Sequence, residues 1–105
     1  SKGYRVTFAL DQYTEPQAIT GISALESTIV SRPDLVQRFV SALQEALTVI
    51  HSDRETSYRV AKKLFPTLRD KVIKNAADRM LNYGVYAQSV KVDDALWQRT
   101  LKTRL

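Results

Sequence analysis

The side chains able to do chemistry are few, and their spacing limits what they can do. His51 is the single histidine, so an imidazole metal site would need carboxylates such as Asp53 or Glu55 beside it. A histidine closing a helical stretch, where it complements the negative end of the helix dipole, explains the residue without a metal. Asp93 and Asp94 are an adjacent acidic pair, but neighbours on a helix project about 100° apart, and the first suits a helix cap. No G-x-S-x-G, P-loop or G-x-G-x-x-G occurs. Zero cysteines remove thiolate ligands, thiol nucleophiles and disulfides. The expectation is a chain without catalysis, metal or cofactor.

Lys62, Lys63, Arg69, Lys71, Lys74 and Arg79 give two predicted helices around Pro66 the look of a helix-turn-helix. A DNA reader favours a small residue in the turn and polar, base-reaching residues on the second helix. Phe65-Pro66-Thr67-Leu68 is a stiff, apolar turn instead. The net charge of +5 is also dispersed, with acids beside bases at Arg54-Glu55 and Arg69-Asp70. No nucleic-acid partner is expected. Tyr83, Tyr86 and Trp97 are read as anchors of the last helix to the core rather than as a ligand site.

The elements that must position these residues follow from periodicity. At 105 residues, with 44% hydrophobic and 26% charged side chains, the chain suits one small core. No apolar run approaches the roughly 20 residues that span a bilayer, and Ser1-Lys2-Gly3-Tyr4 lacks the pattern of a signal peptide. Tyr4, Val6, Phe8 and Leu10 alternate with polar or small residues, predicting a strand, and Ile19 to Leu25 predicts a second extended segment. Glu15-Pro16 marks the loop between them.

From Glu26 the period becomes helical. A short turn around Ser27 to Val30 precedes Pro33, which suits a first helical position. Leu35, Val36, Phe39, Val40, Leu43, Ala46, Leu47 and Ile50 then form one stripe. Ser52 and Glu55 have capping-box spacing for a helix burying Tyr58, Ala61, Leu64 and Phe65 and stopped by Pro66. A third helix opens at Thr67 to Asp70, buries Leu68, Val72, Ile73, Ala76, Met80 and Leu81, and ends at Gly84. Val85 to Val92 reads as a loop, and Asp93 caps a last helix through Leu96, Trp97 and Leu101. The fold class is mainly α with a short β element: residues 1–25 hold the extended segments and residues 26–105 four to five helices. Two strands alone are marginal and leave an edge to cover, so further chain upstream is expected, and the open edge would favour a homodimer.

The order of these motifs carries a resemblance. Gly3-Tyr4-Arg5-Val6 leads to Thr20-Gly21-Ile22-Ser23-Ala24, then to Ser31-Arg32-Pro33-Asp34-Leu35-Val36-Gln37-Arg38-Phe39-Val40. Ser52-Asp53, Leu64-Phe65-Pro66 and Val92-Asp93 with Trp97 follow. Nearly the whole chain thereby resembles the C-terminal region of periplasmic solute-binding proteins of ABC importers, in the family for sulfonates, nitrate, taurine and thiamine precursors.

The resemblance implies a fragment of a two-lobed α/β periplasmic binding protein (type II). Residues 1–25 would contain the last strand of one lobe and the hinge strand crossing back, and residues 26–105 the helices of the other lobe. It implies capture of a small anion between the lobes, lobe closure, and docking on ABC permease subunits, in a periplasmic or extracytoplasmic setting membrane-associated through the transporter. Tyr13 would stack on or donate to the solute, Thr20 and the Gly21 backbone would offer hydrogen bonds to an anionic group, and Glu15 would suit an amine-bearing one. The alternative is a free-standing helical interaction module binding a protein or nucleic acid through a basic face. Most specificity-setting side chains would lie outside this sequence, which therefore does not name the solute.

Overall fold

A computed structural model describes Arg5, Thr7, Phe8 and residues 13–104. It contains helices α1 (Glu26–Ser31), α2 (Pro33–Ser52), α3 (Arg54–Leu64), α4 (Asp70–Asn82) and α5 (Asp94–Arg104). The fold is mainly α, and no strand occurs among the described residues. The strand expected from Tyr4 to Leu10 falls largely outside those residues. The second extended segment, Ile19 to Leu25, forms no strand, which corrects the expected β element. β-branched side chains favour an extended backbone, but a strand also needs a neighbour's ladder, and none forms here. The end of the segment is claimed by a helix instead, because the Leu25 carbonyl accepts from the Thr28 and Ile29 N–H groups at 3.0 and 3.1 Å.

The chain divides into two compact units, Ser1–Ile22 with Val92–Leu105, and Ser23–Lys91. In the second unit α1 packs on α2, α2 on α3 and α3 on α4. Pro33 occupies the start of α2 as its spacing predicts. The 20 residues of α2 extend about 30 Å, whereas the 11 of α3 extend about 16 Å. With only Asp53 between the two helices, α3 can cover only the C-terminal part of its neighbour. Leu43, Leu47 and Ile50 are accordingly half-buried, whereas Leu35, Phe39 and Val40 nearer the start remain exposed. The continuous stripe expected to be buried is thus covered over only part of its length.

Two further helix faces differ from expectation. Ile73, at 6% exposure, is the one buried apolar side chain among the described residues, and half-buried Ala77 and Leu81 follow it at four-residue steps. Leu68, Val72, Ala76 and Met80, assigned to the same face, are exposed. In α3 Tyr58 and Ala61 are half-buried, but Leu64 and, just past the helix, Phe65 are exposed. The buried face of each helix is therefore narrower than its apolar stripe.

The helix ends follow their residues closely. The cap of α3 is Asp53 rather than Ser52: the Asp53 carboxylate accepts from the Thr56 N–H at 3.0 Å, while the Ser52 hydroxyl donates to the Thr48 carbonyl inside α2. Together with a bond from the Thr56 hydroxyl, this lowers the Asp53 pKa below the ordinary 3.8. Gly84, with φ of 63°, ends α4. The Gly84 N–H donates to the Leu81 carbonyl and the Val85 N–H to the Met80 carbonyl, the paired bonds of a Schellman motif that needs a left-handed residue there. Asp93 caps α5 by accepting from the Leu96 N–H at 2.7 Å.

Candidate functional site

Within the first unit, residues 13–20 pass as a strap of irregular backbone held to α5. The holding point is Thr100, buried at 6% exposure. Its hydroxyl accepts from the Ala18 N–H at 3.0 Å and donates to the Leu96 carbonyl at 2.8 Å, so both functions of a buried hydroxyl are satisfied. One residue earlier, Arg99 donates through Nε to the Pro16 carbonyl at 3.3 Å. The same nitrogen lies 3.7 Å from the Glu15 carboxylate. A proline before Gln17 suits this arrangement, since its carbonyl remains available while its ring restricts the backbone.

The four residues singled out from sequence lie on or beside this strap. Tyr13 is exposed and stacks on Phe8, with centroids 5.0 Å apart and planes 12° from parallel, so one face of its ring is taken. Glu15 is exposed and paired with Arg99. Thr20 is exposed at a bend two residues beyond the Ala18 bond. A Cβ placed on Gly21 would meet nothing within 4 Å, so no close approach demands glycine there. Sequence reasoning missed Arg99 and Thr100. The available signal was weak: a threonine four residues after Leu96, on the side of α5 where an apolar residue would continue the face.

A second polar cluster joins α3 to α4. The Asp78 carboxylate accepts through Oδ1 from the Tyr58 hydroxyl at 2.5 Å and from Arg54 at 2.9 Å. The bond to Asp78, with desolvation and the carboxylate's charge, pushes the Tyr58 phenol above its ordinary 10.0. Lys74 lies over the Tyr58 ring, 5.4 Å from the centroid. Lys62 spans the Phe65–Arg69 turn, donating to the Leu68 carbonyl at 2.6 Å and pairing with Asp70 at 2.9 Å. That lysine lowers the Asp70 pKa below 3.8, through its hydrogen bond first and its charge second. A shallow depression of about 300 Å³ is lined by Tyr58, Arg59, Lys62, Asp70 and Lys74. Its cations are largely engaged with their neighbours.

The remaining candidates are dispersed. His51 donates through Nε2 to the Ala87 carbonyl at 2.9 Å, a role a carbonyl partner imposes because it can only accept. Among the described residues no three histidine, cysteine, aspartate or glutamate side chains converge to hold a metal. Tyr86 is half-buried, but Tyr83 and Trp97 are 51% and 52% exposed, which corrects their reading as core anchors. Arg79 instead lies over the Tyr83 ring at 6.0 Å. No helix among the described residues is long and apolar enough to cross a membrane. Searches against family models, curated proteins and solved structures return no match to the chain.

Proposed function

We propose that the chain is part of the solute-binding component of an ABC importer for a small anion such as a sulfonate or nitrate, its helices belonging to one lobe of a type II binding protein. The observation that carries the reading is the strap on α5. It sets Glu15 and the Pro16 carbonyl against the Arg99 guanidinium, and Tyr13 and Thr20 lie on the same strap, so aromatic, hydroxyl and cationic groups suited to an oxyanion belong to one short stretch and the helix that holds it. The helices add support, because a proline-led α2, an Asp53 cap, the Phe65-Pro66 break and an Asp93-capped α5 occur in the order the resemblance calls for. The exposed Leu35, Phe39 and Val40 suit a surface that further polypeptide would cover.

The nucleic-acid version of an interaction module has less behind it. Arg54 and Lys62 are committed to carboxylates, and Lys74 and Arg79 lie over tyrosine rings, which reduces the cation supply for phosphates. A thermal-shift screen of the full-length protein with sulfonates, nitrate, taurine and pyrimidines tests the proposal. A ligand at about 100 times its Kd should add about 2.7 kcal/mol of stability. Absence of any shift across the panel would refute the small-anion reading.

A further inference from the structure

The pair formed by Arg99 and Glu15 has an asymmetry that an ordinary surface ion pair does not need. Arg99 is fixed at one point, since its Nε donates to the Pro16 carbonyl at 3.3 Å and its side chain is only 36% exposed. Glu15 is 80% exposed, and its closest approach of 3.7 Å is beyond hydrogen-bonding range. The carboxylate therefore neutralises the guanidinium without capturing it. A guanidinium carries five N–H donors, and the four on the Nη atoms have no partner among the described residues. Lys102, one turn further along α5, adds a second cation on the same helical face.

We propose that Arg99 is the oxyanion-binding residue of this site and that Glu15 is an internal competitor displaced by the ligand. The inference rests on the solute-binding reading and adds to it the chemistry of recognition: a sulfonate, carboxylate or nitrate with two oxygens able to accept the planar fork of donors. The Nε bond to Pro16 holds the fork in place, so little ordering remains when an anion arrives. Thr100 fixes the strap next to it through Ala18, keeping Glu15 near enough to screen the site when it is empty. The strap and α5 are thus one recognition element assembled from opposite ends of the chain.

Isothermal titration of the full-length protein with sodium nitrate, taurine and methanesulfonate separates this proposal from the reading beneath it. For whichever of the three binds the wild type, Arg99→Ala should weaken affinity by about ten- to hundredfold. Arg99→Lys should restore only part of it, because a point charge cannot replace the fork. Glu15→Gln should tighten binding by severalfold, an effect no purely structural pair would give, since breaking such a pair would loosen the strap. Amide exchange at Ala18 reports strap integrity in each variant. Wild-type protein that binds none of the three overturns the solute-binding reading itself. Binding that survives Arg99→Ala, or weakens in Glu15→Gln with Ala18 still protected, overturns the role given to the arginine while leaving that reading intact.

Discussion

The Asp78 cluster and the Thr100 strap both join a helix to another segment, but they do so by opposite means. At Asp78 the partners are 20 and 24 residues away, and the groups are charged, partly exposed and supplemented by Lys62 with Asp70. At Thr100 the partner is 82 residues away, and a buried neutral hydroxyl anchors the strap next to the more exposed Arg99 contacts to Pro16 and Glu15. Closing a loop about four times longer costs roughly 1.2 kcal/mol more by the logarithmic law. The distant contact therefore gains from a bond protected from water, whereas the local one tolerates exposed ions that water screens. Exposed charges make up one join, and the other has a buried hydroxyl at its centre.

That comparison breaks most visibly at Ile73. If apolar packing rather than the ionic cluster holds α3 to α4, Ile73→Ala should destabilise the helical unit by about 2–4 kcal/mol, lowering Tm by roughly 10–20 °C. Asp78→Asn should cost far less, because it retains an acceptor for Tyr58 and Arg54. Thermal melts followed by far-UV circular dichroism compare the two. A larger effect from Asp78→Asn would mean that the ions carry the join. Amide exchange at Ala18 should stay unchanged in both, since its partner belongs to the other unit.

The intermediate effect belongs to Thr100. Thr100→Val keeps the shape but removes the acceptor, leaving the Ala18 N–H unpaired at a cost of about 1–2 kcal/mol. Hydrogen exchange at Ala18 should accelerate about tenfold or more, while the melting of α2 to α4 should hardly move. Unchanged exchange would show that the strap is held by something other than this hydroxyl.

How much of this was legible depends on the distance over which each feature is determined. Pro33, Asp93 and Gly84 act within a few residues of themselves, so their helix boundaries could be read directly. Asp53 displaced Ser52 as the cap because two adjacent residues can both serve, and only the backbone geometry chooses between them. The buried face of α4 was broader on paper than in the fold, because periodicity marks apolar positions but not how far a shorter neighbour reaches. Arg99 and Thr100 were illegible as site residues for the same reason at longer range. Nothing within several residues of either one announces a partner at Pro16 or Ala18.

The smallest expected effect sharpens the comparison through pH. Asp53 and Asp70 both have folded pKa values below the ordinary 3.8, the first through the Thr56 N–H and the second through Lys62. A depressed pKa means the charged carboxylate favours the folded state. Its contribution is therefore complete above the unfolded value and disappears as pH falls through the folded one. The helical unit should lose stability gradually below about pH 4. The Tyr58 phenol, shifted upward, has the opposite sign: its contribution is present below pH 10 and fades as pH rises through the folded value. The bond between Thr100 and Ala18 contains no titrating group, so it supplies no such dependence of its own. Urea midpoints of the helical unit measured between pH 5 and pH 2.5 should fall, and Asp53→Asn should flatten part of that slope. A slope unaltered in both Asp53→Asn and Asp70→Asn would assign the acid sensitivity to other carboxylates and remove the charged caps from the account of how these helices are held.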